Sequence, residues 1–233
     1  MKKMETPKLS TMVVLYNMNF KLNTDIILNT LPINEVIIKV EKRGVLRRGE
    51  SLRDKIKRRT KEEVKTKTGF GHNSITIVMK NSGIGFPEKE ITVKIFQNGV
   101  FHLTGVLDDT YDSECMRILC DILWELPSAI QEKPLNREIV RRRVVLMNYT
   151  TELNPKTTVA REIFYNTLKH VENLKVSYNP DVYPGVKIQF DNNWTAKIFR
   201  TGKIILTGIT TKEDCSIFAK ELEHVLKKYL PVK

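Results

Sequence analysis

Two stretches of the chain alternate apolar and polar positions in the same way and bend at the same place. TVKIFQNGVFHLTG from Thr92 and TAKIFRTGKIILTG from Thr195 match along their length. Each reads as two short strands around a tight turn, with Asn98-Gly99 and Thr201-Gly202 at the bends. The strand pattern extends further: 74–80, 91–96 and 100–104 form one set, 186–190, 194–199 and 203–207 the other. After each set the period changes from two to 3.6. Cys115, Ile118, Leu119, Ile122, Leu123 and Leu126 recur at spacings of three and four, as do Cys215, Phe218, Ala219, Leu222, Val225, Leu226 and Tyr229. Each set is therefore expected to close on a long amphipathic helix. Thr211 with Asp214 predicts a capped start for the second helix.

A second matched pair, VVLYNMNFKLN from Val13 and VVLMNYTTELN from Val144, predicts an opening strand for each copy, over 12–21 and 143–152. A short helix should follow each. Asn154 is a suitable N-cap with Pro155 at the first helical position, ahead of Val159, Ile163, Phe164 and Leu168. Asn23, Thr24 and Asp25 play that part ahead of Ile26, Ile27 and Leu31. The two matched pairs stand at different offsets, so the first copy carries an insertion. The hairpin around 81–90 can absorb some of it, and the run 41–68 can hold most. That run has 12 Lys or Arg against 5 Asp or Glu, which reads as a solvated or disordered loop, or as an auxiliary contact to DNA or a partner. As a loop it should be removable without unfolding the protein. The expected organisation is a tandem α+β repeat: 11–130 with an insertion at about 41–68, then 140–233. Merged across a pseudo-twofold axis, the two sheets would carry helices on one face and leave the other free for a ligand.

Composition narrows the ligand. A formal charge of +12 and a pI near 9.5 over 233 residues favour a polyanion, either nucleic acid or an acidic membrane face. No run approaches the ~18–20 apolar residues that span a bilayer, and MKKMETPKLS lacks the apolar core of a signal peptide. An intracellular, non-secreted protein is expected. Cys115, Cys120 and Cys215 lack metal-ligand spacing and read as buried, reduced thiols. His72, His102, His170 and His224 form no ligand set, and no phosphate-binding glycine loop or nucleophile motif occurs. The chain is read as a non-enzyme without cofactor or metal.

The duplicated K-I-F-x-x-G-x-x-x-L-T-G, together with YNPDVYPGV over 178–186, resembles the TATA-binding protein family. The resemblance implies a saddle-shaped, curved antiparallel sheet with helices on its convex face. The concave face would lie in the minor groove of A-T-rich promoter DNA and bend it, with aromatic wedges between base steps. Phe96 and Phe199 match the wedge of the K-I-F motif, and Tyr183 stands at the second wedge of copy two. Phe70 or His72 is the corresponding residue of copy one, favoured on chemistry and on spacing respectively. Thr104 and Thr207 match the groove-facing threonine, Ile205 the apolar contact before it, and Val13 and Val144 the apolar contact of the opening strand; His102 departs from the Ile205 pattern. The family's asparagine two positions before that valine is replaced by Thr11 and Arg142, while Asn17 and Asn148 share a strand face with the valines and could supply amide donors or merely satisfy strand ends. Lys94 and Lys197 replace an apolar residue beside the wedges, which adds phosphate or acceptor contacts at the expense of apolar burial.

Implied partners are double-stranded DNA, a B-type transcription initiation factor docking at the hairpin 190–194, and the RNA polymerase machinery, with the protein a monomer on DNA and away from membranes. The implied role is a general transcription initiation factor. The alternative is an accessory module of the same fold with weak sequence preference, delivered by partners or attached to a nucleic-acid enzyme. The divergence suits a fast-evolving lineage such as a large DNA virus, so the expected location is the nucleus, or a cytoplasmic viral factory or virion.

Overall fold

Burial along most of the strands falls on alternate residues, which gives each sheet a core side. The computed structural model describes residues 3–55, 73–154 and 157–230. In chain order the elements are β1 (Lys3–Met4), β2 (Lys8–Met18), β3 (Lys21–Leu22), α1 (Thr24–Thr30), β4 (Ile37–Lys42), β5 (Leu46–Gly49), α2 (Leu52–Lys55), β6 (Ser74–Asn81), β7 (Lys89–Phe96), β8 (Val100–Val106) and α3 (Asp109–Glu125). They continue with β9 (Ile130–Gln131), β10 (Ile139–Asn154), α4 (Arg161–Leu168), β11 (Leu174–Ser177), β12 (Val186–Phe190), β13 (Thr195–Ile198), β14 (Lys203–Ile209) and α5 (Lys212–Tyr229). The chain divides into two units, Val13–Arg143 and Val144–Lys233, the latter including Met1–Met12.

In the Val13–Arg143 unit the strand order is β2-β8-β7-β6-β4-β5, with β3 and β9 as a separate small pair. The helices α1 and α3 pack on one face, over Ile77, Val93, Leu103 and Phe101, all fully buried. In the other unit the order is β11-β12-β13-β14-β10, with β1 beside β10. There α4 and α5 cover Ile188, Ala196, Ile198, Ile204 and Leu206. The pairs from β5 through β4, β6 and β7 to β8, and from β11 through β12, β13 and β14 to β10, are antiparallel. The α+β fold read from the sequence is the one observed.

Capping follows the sequence at the starts of α1 and α5, and α3 has a side-chain cap that the sequence reading did not name. The side chain of Asn23 accepts the Ile26 N–H at 3.2 Å, that of Asp108 accepts the Thr110 N–H at 2.8 Å, and that of Thr211 accepts the Asp214 N–H at 3.1 Å. The fourth start differs from expectation. Asn154 ends β10 and α4 begins at Arg161, with Ala160 as an N-cap that offers no side-chain bond; Pro155 lies outside the described residues. The cause is tertiary: β1 pairs with the end of β10, Lys3 opposite Asn154, and holds that segment extended.

The insertion also differs from the loop expected over 41–68. Its described part is folded: Glu41 and Lys42 complete β4, β5 pairs back onto β4, and α2 follows. Removing 41–68 whole would thus cut a strand of the sheet. Backbone pairing between β4 and β6 stabilises this segment regardless of its charge, which is why a composition argument misjudged it.

The glycine of the duplicated T-G step has a structural reason. Gly208 has φ +88°, and a Cβ there would lie 2.6 Å from the main-chain oxygen of Asn193 in the preceding hairpin. Gly105 repeats the conformation at φ +100°. Gly208→Ala is expected to destabilise the protein by about 1–3 kcal/mol through strain and close contact, read as a lowered denaturation midpoint at unchanged denaturant slope.

Candidate nucleic-acid interface

Residues directly opposite one another in neighbouring strands share a sheet face. On the face of the Val144–Lys233 unit turned away from α4 and α5, Lys187 stands opposite Lys197, Lys197 opposite Ile205, and Ile205 opposite Thr150. One row along, Gln189, Thr195 and Thr207 are aligned. The Val13–Arg143 unit repeats both rows as Thr76, Lys94, His102 and as Val78, Thr92, Thr104. Lys94, Lys197, Thr104, Thr207 and Ile205 therefore occupy the faces that the helices leave uncovered, each half-buried among neighbours.

The aromatic pair of copy two is assembled. Tyr183, 36% exposed, lies 5.8 Å from Phe199 between ring centroids at a 58° tilt. The Lys197 ammonium sits 5.7 Å above the Tyr183 ring. Phe199 is half-buried, directly follows β13, and lines a groove of about 780 Å3 with Thr6, Lys8, Thr150, Lys203 and Ile205. The tilted contact leaves the Phe199 ring beside the open groove. Arg161 secures the loop behind Tyr183: its guanidinium donates to the Pro184 main-chain oxygen and lies 5.4 Å from the Tyr178 ring.

Phe96 ends β7 opposite Ser74 and is half-buried. Phe70 and His72 lie outside the described residues. Val13 is 9% exposed and Val144 half-buried. Asn17 and Asn148 are half-buried, and the Asn148 main-chain oxygen accepts the Ser10 hydroxyl at 2.9 Å. His102 faces Lys94 across the strand pair. Burial, and then the Lys94 charge, push the His102 pKa down, so its imidazole is neutral near pH 7 and carries one N–H donor and one acceptor nitrogen. The three cysteines are buried and free; burial first among causes pushes each thiol up to about 11, which keeps them protonated and unreactive.

Arg142, at the position of a family asparagine, is committed elsewhere. Its Nε donates to Asp112 at 2.8 Å and its Nη2 to Asp109 at 2.7 Å, both on α3, and the Tyr16 hydroxyl donates to the same Asp112 carboxylate at 2.5 Å. Asp112 is completely buried. The Asp112 bond foremost raises the Arg142 pKa, and burial, then Asp112, raises that of Tyr16. Arg142 is a structural anchor, not a donor on the uncovered face.

Sequence reading passed over Lys187, Thr92 and Thr195, which share these rows. Their signal was present: Lys187 sits between buried Val186 and Ile188, and the threonines lie two residues before the motif lysines.

Each unit is thus an α+β sheet with helices on one face, and the Val144–Lys233 unit carries an aromatic-cationic pair on the other. Residues 155–229 match the family model described as transcription factor TFIID (or TATA-binding protein, TBP). A TATA-box-binding protein of Pyrodictium occultum is 37% identical over 57 residues, 24% of this chain and 29% of the relative, so the match spans under a third of that protein. In fold, the chain is similar to Methanococcus jannaschii TBP with a TM-score of 0.59 at 15% identity, over 97% of this chain and 99% of that one. The family-model match covers residues 155–229, and the likeness in fold extends over nearly the whole chain.

Proposed function

We infer that the protein is a TATA-binding-protein-like transcription initiation factor that binds and bends A-T-rich promoter DNA through the minor groove, each repeat, 11–130 and 140–233, contributing one contact surface. The observation that carries this reading is the Tyr183–Phe199 pair under Lys197, at the uncovered face of the sheet that holds the family match. A minor groove at A-T steps offers only acceptors and lacks the guanine amino group, so an apolar surface with Thr, Asn, Lys and neutral His donors suits it. Opening the groove costs several kcal/mol by elastic estimates; inserted rings and buried apolar area offset that cost. Partners in this reading are a B-type initiation factor and the polymerase machinery, with the protein monomeric on DNA. The hairpin 190–194 is the proposed dock: Phe190 and Trp194 are packed on Phe218 of α5 at 5.1 and 5.3 Å, which fixes the hairpin while Asp191, Asn192 and Asn193 remain exposed.

The test is equilibrium binding to TATA-containing, scrambled and G-C-rich duplexes at physiological salt. The TATA duplex is expected to bind at least tenfold more tightly than the G-C-rich one, since each unsuitable base pair costs about 1–3 kcal/mol. Equal binding to all three would favour the accessory-module reading.

A further inference from the structure

The two repeats differ on their uncovered faces in one respect that their register makes measurable. Lys39 lies opposite Val78, and Lys175 opposite Gln189; Val78 and Gln189 in turn stand opposite the motif threonines Thr92 and Thr195. Lys39 and Lys175 are thus equivalent positions of the repeat. Lys175 is exposed, whereas Lys39 is 6% exposed, as is Val78 beside it.

What covers Lys39 is the folded head of the insertion. The Asp54 carboxylate accepts from the Lys39 ammonium at 3.1 Å and pairs with Arg47 at 3.0 Å, while Glu41 pairs with Lys39 at 2.5 Å. Ser51 holds that carboxylate in place, its N–H donating at 2.9 Å and its hydroxyl at 2.7 Å. The Leu52 N–H donates to Glu90 of β7, on the same uncovered face, at 2.8 Å. Burial alone would raise the Asp54 pKa, but the Ser51 and Lys39 bonds outweigh it and hold the group at about 2, ionised throughout the physiological range.

We propose that residues 50–55 form an intramolecular cover, in which the Asp54 carboxylate occupies the place of a DNA phosphate on Lys39 and Arg47 and so weakens the DNA contact of the first repeat relative to the second. This rests on the reading of the uncovered faces as the DNA surface. Two cations that would release counterions on binding DNA are already neutralised, at the point where copy two leaves its lysine exposed.

The experiment is DNA binding as a function of salt for the full chain carrying Asp54→Asn, Ser51→Ala, or Asp54→Asn with Lys39→Gln. Asp54→Asn, which leaves Glu41 on Lys39 and frees Arg47, should tighten binding and steepen the slope of log affinity against log salt by about 0.9 for each freed phosphate contact. Ser51→Ala, which removes one anchor of the carboxylate and keeps its charge, should give a smaller change of the same sign. The added Lys39→Gln should reverse part of the gain. Phe199→Ala runs alongside. If it weakens binding while Asp54→Asn and Ser51→Ala leave affinity and slope unchanged, the cover is refuted and the DNA surface stands. If Phe199→Ala has no effect either, the DNA surface itself is refuted, and the cover with it. Should Asp54→Asn lower the melting temperature sharply, Ser51→Ala alone decides by the same criteria.

Discussion

Alanine at both Phe96 and Phe199 is expected to leave the protein folded and to reduce the bend it imposes on A-T-rich DNA. Both rings are half-buried at strand ends, and Phe199 packs against Tyr183 beside an open groove while Ile198 next to it is fully buried in the core. Removing them should therefore cost little folding stability. On DNA the loss is larger, because an unstacked base step without a ring to fill it loses about 1–3 kcal/mol per base. Energy transfer between dyes on the two ends of a short duplex reports the angle, and thermal melting of the protein reports the fold. Lys94→Ala with Lys197→Ala should act differently, flattening the salt dependence by about 0.9 for each lost phosphate contact with a smaller change in angle. A double phenylalanine variant that bends DNA like the parent, or one that unfolds, would falsify the wedge assignment.

The largest effect on stability is expected at Asp112. The carboxylate is fully buried, and it accepts from both the Arg142 guanidinium and the Tyr16 hydroxyl. Asp112→Ala leaves the partly exposed guanidinium with Asp109 as its carboxylate partner and the phenol without its acceptor, and each charge-assisted bond lost costs about 1.5–3 kcal/mol. For a chain of this size that lowers the melting temperature by roughly 2–4 °C per kcal/mol. Asp112→Asn keeps an acceptor for Tyr16 and should lose less. Calorimetry of the two variants separates the ionic part from the hydrogen bond. Because Arg142 is directed at α3, discrimination between TATA and G-C-rich duplexes should survive in whatever fraction of Asp112→Ala remains folded. A parallel loss of discrimination would count against this purely structural role of Arg142.

Much of the fold was legible because burial on one side of a strand or helix writes its period into the chain. The strands of the duplicated motif and the helices α3 and α5 were recovered within a few residues in this way. The strands β4 and β11 were passed over because lysines and short polar residues interrupt their alternation: Lys39 is buried by an ion pair that no local pattern reports, and Lys175 is exposed at an equivalent position. The assembled Tyr183–Phe199 pair was anticipated only through the resemblance of YNPDVYPGV and the K-I-F motif, since an aromatic residue in a strand reads by itself as core.

The sequence by itself determined the repeat, the order of the main strands and helices, the capped helix starts at Asn23 and Thr211, and the burial of the three cysteines. These follow from short-range periodicity and from hydrogen bonds between residues two to four apart, both local properties. Tertiary structure decided what depends on partners distant in the chain. The strand β1, remote in sequence, holds Asn154 extended where a helix was expected, and α3 takes Arg142 away from the uncovered face. Asp54, reaching back fifteen residues to Lys39, ties the start of a basic insertion to the sheet. Charge counts and periods are blind to such pairings, because the energy of a buried ion pair depends on which groups the fold brings within bonding distance and how far it removes them from water.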